Sequence, residues 1–567
     1  MEHFSAGYAS RRYDWKDIVQ QDEHNPPKHS FKRLCGVVET SFYVDGDRFE
    51  GRADLNSLLT LEIRTNMAEN DLRAHIQRAW MTLRCRHPLL LAKTNPIPEN
   101  DEKIDSNITV LWDKFQKFSS ASDADILYFH SQNTARVFQG DKTLTHLFVL
   151  PLETLPNGNR ILRTLQVTGH MITDGLTMFN WNSDFIRLLN LAPSKLKETY
   201  QLALEPSNIK KSLPPAQESL YAPVPGNLAR QRLFWLLLRI LRYVRKPLPT
   251  PITNPLLKDE PPKDLYLYSD VFDWSVTPPT TTGHTRLFLS PAATKRVTQL
   301  SKAAGATLGA GSFTVVGLAM MSLYAKSLST PPPFGLHPPF IASFPWSPRA
   351  FFNHKECDSC MLAFSDGLIL PYLPPSIPIE KRFSFLVKIA NRQLAAYQRK
   401  SSEKGVQDGL SFLDSRAALR TCANTYLIGL ERVEAKTPEE FKGGVNPQGE
   451  YDAKWMATMG ATCGISSVGL TSGFVKAGTT KLDLDLSDGT KTRDEGDEKI
   501  LQADFRSVDT GVRARDKEFL VQCSGDGERM RFGVSYDLAA YDEKKVEEWK
   551  RVMEGLLEPG SEWDTTS

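Results

Sequence analysis

The clearest pattern of apolar and polar positions in this 567-residue chain is at residues 160–168, RILRTLQVT. Long apolar side chains alternate there with polar ones, the two-residue period of a half-buried strand. Leu176, Phe179, Phe185, Ile186 and Leu189 follow as one helical face. Residues 59–65 (LTLEIRT) and 146–150 read as further strands, the latter joined to 160–168 through the tight-turn pair Asn157-Gly158. Residues 32–43, 422–430 and 458–470 also read as strands. Residues 338–349 read as an extended run ending at Arg349, and 519–523 with 530–536 as a hairpin about Gly525-Asp526-Gly527. Helices are predicted at 70–86, with an apolar face of Leu72, Ile76, Ala79, Trp80 and Leu83, and at 380–400 and 542–557. Ser290-Pro291 opens another in the favoured way, and Thr307 opens a helix over 308–326 that is apolar nearly all round and so belongs in a core. At 228–244, Leu233, Trp235, Leu236, Leu237, Ile240, Leu241 and Val244 read as one apolar side, with Arg230, Arg232, Arg239, Arg242 and Arg245 supplying charge. Packing on the core, with arginine stems laid along it, is favoured there over contact with an anionic membrane. Residues 93–140 alternate short strands and polar loops, while 1–30 and 486–498 are polar and irregular.

The chemistry concentrates where strand 160–168 meets its helix, at Gly169-His170-Met171-Ile172-Thr173-Asp174-Gly175. A histidine at a strand end is held firmly with its tip free, and a neutral imidazole accepts a proton near pH 7. Asp174 is placed to pair with a cation or to bond backbone amides, and Gly175 allows a close approach or a positive φ. The local pattern alone favours a satisfied core histidine followed by a helix-capping Asp174. Elsewhere, Ile465-Ser466-Ser467-Val468-Gly469 ends a strand-like run with small hydroxyl residues that can lie close to a ligand. Cys357-x-x-Cys360 is half a zinc site with no second pair, so no metal is expected. Phosphate-loop, dinucleotide and Gly-x-Ser-x-Gly hydrolase motifs are absent.

Composition narrows the class. Hydrophobic content of 41% and charged content of 24% are those of a globular protein with sizeable cores. The balance of 69 basic against 67 acidic residues speaks against nucleic-acid binding. Seven cysteines, few and odd in number, suit a reducing compartment. With no secretory h-region and no run of about 18 apolar residues, the expectation is a cytoplasmic protein without a transmembrane segment.

The His170-x-x-x-Asp174-Gly175 string resembles the signature of the chloramphenicol-acetyltransferase-like superfamily of CoA-dependent acyltransferases and condensation domains. Further likenesses are the RCRHPLL turn after helix 70–86, the Gly305-x-Thr307 turn before a small-residue helix, and the arginine ending 338–349. The Ser466-Ser467-x-Gly469 segment and the overall length are most similar to fungal trichothecene 15-O-acetyltransferases. Asp504-Phe505-Arg506-Ser507-Val508 departs from the plant acyltransferase motif by lacking its later glycines and tryptophan. Gly169 stands where condensation domains carry a second histidine.

The resemblance implies an α/β (α+β) fold of two lobes, each a mixed sheet flanked by helices, with the active-site tunnel at their interface. The lobes are placed at 1–245 and 286–567, joined by a proline-rich crossover at 246–285. It implies His170 as general base and Asp174 as a structural, turn-fixing residue with Arg349 as its candidate partner. Ser466, Ser467, Gly469 and Gly175 are the substrate or oxyanion candidates. The implied activity is O-acylation, most simply O-acetylation, of a secondary-metabolite alcohol such as a terpenoid or polyketide. Acyl-CoA would be a co-substrate, no cofactor would be bound, and the protein would act as a monomer. A carrier-protein acyl donor and a non-catalytic binding protein on the same scaffold are the alternatives.

Overall fold

A computed structural model describes residues 13–20, 28–94, 108–110, 120–133, 136–244, 248–259, 282–329, 332–333, 335–352, 354, 356–365, 367–398, 418–436, 460–482 and 500–563. The expected loop at 486–498, most of the crossover and the first twelve residues lie outside that set.

Two mixed sheets organise the chain. In the first, the strands run in the order Leu501–Val512, Leu55–Thr65, Arg160–Thr168, Thr145–Val149, Ile108–Val110, with the short Glu153–Thr154 also on Arg160–Thr168. In the second, the order is Leu368–Leu370, Phe340–Ser343, Cys463–Leu470, Phe519–Gly525, Met530–Asp537, Thr282–Phe288. Each sheet has its own core. Trp80, Leu162, Leu165, Trp181 and Leu188 fill the first, and Val316, Met320, Phe340, Phe383, Phe532 and Trp549 the second. The first sheet takes its edge strand, Leu501–Val512, from the far half of the chain, so 286–567 is not one lobe throughout. That strand runs antiparallel to Leu55–Thr65 with a register shift between Phe505 and Ser507. Asn190 fixes its entry by bonding both the N–H and the C=O of Ala503.

Two stretches with strand-like composition are helices. Residues 32–43 fall mostly in the helix Val37–Arg48. Glu39 reaches back to the Gly36 amide at 2.7 Å, and Glu218, distant in sequence, accepts from the Val37 amide at 2.8 Å, so two donors at the helix start are satisfied. Residues 422–430 lie inside the helix Ala418–Lys436. Its Gly429 lets the two helices close: a Cβ there would stand 2.9 Å from Val37 Cγ1. The helix Ala121–Ser131, capped by Ser120, occupies part of 93–140 where short strands were expected.

The 308–326 prediction is met by Leu308–Ser327, capped by Thr307. Among the described residues it is the one helix long and apolar enough to cross a bilayer, but 78% of that window is buried in the second core. Helix Leu228–Tyr243 divides its apolar residues differently from the sequence reading. Phe234, Trp235 and Leu238 pack inward, while Leu233, Leu236, Ile240 and Val244 face solvent.

Candidate active site

His170 leaves the end of strand Arg160–Thr168, and the chain turns at once into helix Gly175–Leu189. Asp174 explains the sharpness of that turn. Its Oδ1 accepts from the Thr177 amide at 2.9 Å as the helix N-cap, while Oδ2 accepts from Arg349 Nη1 at 2.8 Å and from the Met361 amide at 3.0 Å. Arg349 also donates to the Ser359 and Glu356 carbonyls and to Thr177 Oγ1. Both side chains are nearly fully buried, 7% and 2% exposed. The pairing raises the guanidinium's pKa despite the opposing effect of burial. This knot ties the 347–361 segment of the second half to the first lobe. Helix 69–86 is tied to the same helix by His87, whose Nε2 lies 3.1 Å from Asp184 Oδ2.

Asp174 is therefore directed away from His170. The imidazole has other neighbours: Phe42 stacks on it at 3.8 Å between centroids with planes 3° apart, and Cys360 Sγ lies 3.9 Å from Nδ1. Burial pulls its pKa down to about 4, partly opposed by a hydrogen bond to its own backbone carbonyl and reinforced by the nearby positive charge of Arg515. At neutral pH the ring is uncharged and carries a lone pair on one of its two nitrogens.

His170 is 9% exposed as a residue, and it lines a cavity of about 950 Å³ between the lobes. Strands Cys463–Leu470 and Leu501–Val512 supply facing walls, and the lining reaches solvent at Asp526 and Glu528. Ser466 lines this cavity with His170, whereas Ser467 is exposed and, like Gly469, does not line it. Alternation along the strand sends Ile465 into the second core and Ser466 towards the cavity. A register shift between Ser467 and Gly469, where Gly469 takes φ +74°, then ends the regular ladder. Gly175 lines the cavity where the lobes touch, and a Cβ on it would stand 2.8 Å from Val468 Cγ1.

Phe42, Asp45, Arg432 and Arg515 belong to the site and were not singled out from sequence, and Cys360 was singled out only for another role. Phe42 was missed because residues 32–43 read as a strand, and Asp45 and Arg432 because they lie past the ends of the two strand-like stretches, in helices that the sequence pattern does not reveal. Cys360, half of the zinc-like pair, is packed against the imidazole. Among the described residues no group of three or more His, Cys, Asp or Glu side chains could hold a metal ion.

No protein-family profile matches the chain, and no curated protein matches it by sequence. Solved structures do. The TRI3 trichothecene 15-O-acetyltransferase from Fusarium sporotrichioides is similar with a TM-score of 0.56 and 11% identity, over 96% of both chains. The first condensation domain of the calcium-dependent antibiotic synthetase is more distant, with a TM-score of 0.47 and 11% identity over 94% of this chain and 98% of that one. The two sheets and the strand that crosses between lobes give the chain a two-lobed chloramphenicol-acetyltransferase-like fold, shared with the TRI3 acetyltransferase structure.

Proposed function

We propose that the protein is an acyl-CoA-dependent O-acyltransferase, most simply an O-acetyltransferase, acting on a hydroxyl of a secondary metabolite of terpenoid or polyketide type. The observation that carries the reading is a neutral imidazole opening onto an inter-lobe cavity large enough for two substrates, with Asp174 bonded away from it. A thioester is already activated, so the barrier lies in the alcohol. His170 takes the hydroxyl proton as the oxygen bonds to the thioester carbon. The tetrahedral intermediate's oxyanion accepts from Ser466. The C–S bond then breaks, and the thiolate leaves with the proton from His170, giving ester and free CoA thiol. General-base help of this kind supplies about 10²- to 10⁴-fold. The fold shared with an O-acetyltransferase supports the reading at the level of architecture.

The test is product mass spectrometry with a panel of terpenoid and polyketide alcohols, given either free acetyl-CoA or an acyl group loaded on a carrier protein. An acetylated alcohol formed from free acetyl-CoA is the expected result. Product only from the loaded carrier would replace this reading with a condensation-type enzyme. No product from either, with ligand bound, would leave a binding protein.

A further inference from the structure

Arg432 lines the inter-lobe cavity and is 8% exposed. A guanidinium carries five N–H donors in its plane. No described residue forms an ion pair with this one, and its Nε is sealed from solvent with no acceptor. The nearest acids are already engaged: Asp45 Oδ2 lies 2.9 Å and Glu518 Oε1 3.1 Å from Arg515. What Arg432 does have is Phe364, over whose ring its guanidinium carbon stands at 3.7 Å. A cation–π contact satisfies one face of the ion and none of its donors. Burying an unpaired ion costs more than such a contact returns. Consistent with that imbalance, burial and the charge of Arg515 lower its pKa to about 10.

The position matters as much as the missing partner. Phe364 lies 6.3 Å from Phe42, and Phe42 stacks on His170. Two phenyl rings therefore separate a buried cation with open donors from the imidazole. We propose that Arg432 is a specificity-determining residue that binds the carboxylate of a substrate held against His170. A guanidinium laid on Phe364, with its donors open, suits a planar monoanion, which it can grip with two parallel hydrogen bonds. This deepens the acyltransferase reading and rests on it. The carboxylate belongs either to the acceptor, a hydroxy acid, or to the acyl group, a dicarboxylic half-thioester.

Titration calorimetry on the full chain separates the cases. One pair of probes is 3-hydroxybenzoate and its methyl ester, and the other is succinyl-CoA and butyryl-CoA. In the wild type, the carboxylate of one pair should bind about 10- to 100-fold more tightly than its neutral partner, the worth of a charged hydrogen bond. The pair that discriminates identifies the source. The preference should vanish in Arg432→Met, persist in reduced form in Arg432→Lys, and persist in His170→Ala. Arg432→Met removes an unpaired buried charge, so its melting temperature should not fall. Absence of a preference in both pairs, or its survival in Arg432→Met, overturns the proposal. So does an equal weakening of both CoA esters in Arg432→Met, which would mean that the cation holds CoA phosphates. Binding needs no chemistry, so discrimination without acyl transfer in the wild type would sink the proposed function while leaving Arg432 as a carboxylate site.

Discussion

The Asp174–Arg349 knot offers the sharpest separation of a structural from a catalytic role. Arg349→Met would leave the Asp174 carboxylate, 2% exposed, without its counter-ion and with only the Thr177 and Met361 amides. Breaking a buried pair from one side costs about 3–5 kcal/mol, roughly a thousandfold in the unfolding constant. The Ser359 and Glu356 carbonyls would lose a donor as well. Asp174→Asn removes the charge from the other side and strands the guanidinium. Combining the two removes both charges, so the double variant should be more stable than the sum of the single losses predicts, with a coupling of about 0.5–3 kcal/mol. Urea unfolding followed by tryptophan fluorescence gives the stabilities, and thiol release from acetyl-CoA, scaled to the folded fraction, gives the activities. The reasoning fails if Arg349→Met unfolds at the wild-type urea concentration yet has lost its turnover. It fails equally if the single losses simply add.

Three further expectations follow from the site. Ser466→Ala should lower kcat by about 10²- to 10³-fold as a lost oxyanion donor, whereas Ser467→Ala, altering an exposed side chain outside the cavity, should leave kcat unchanged; equal effects would remove Ser466 from the mechanism. Gly175→Ala drives a methyl against Val468 and should cost about 1–3 kcal/mol of stability, with Val468→Ala restoring much of it; a neutral Gly175→Ala would show that the lobes do not meet there. The acid limb of kcat/KM should fall near pH 4 and not near 6.5, because burial lowers the pKa of His170 in the free enzyme. The same shift sets a sign for stability. The unfolded chain takes up this proton first, so the His170 contribution is intact above pH 6.5 and is lost as pH falls from 6.5 towards 4. His284, lowered to about 4 by burial, acts in the same direction, and Glu218, raised to about 7, acts in the opposite one.

What could be read from sequence was whatever a local period encodes. Strand Arg160–Thr168 and the helices capped by Ser290 and Thr307 follow from alternation and capping residues. Helix Val37–Arg48 was hidden because Val37, Val38, Phe42, Tyr43 and Val44 have strand-like side chains, and part of its N-terminal capping comes from Glu218, far along the chain. Residues 422–430 mislead likewise: Gly429 closes on Val37 and Tyr426 packs on Trp235, partners no local window contains. Strand Leu501–Val512 escaped notice because polar residues interrupt it and the shift after Phe505 breaks its period. At the site, the His170 turn was legible because strand, histidine, cap and glycine are contiguous. Phe42, Cys360 and Arg432 come from three distant segments, and only the fold brings them together.

The most direct measurement is single-turnover acyl transfer from acetyl-CoA to an accepted alcohol by His170→Ala, with its fold checked by circular dichroism and thermal unfolding. A neutral ring acting as general base predicts a loss of about 10²- to 10⁴-fold with the fold intact. Turnover at the wild-type rate by a folded His170→Ala protein would contradict the account.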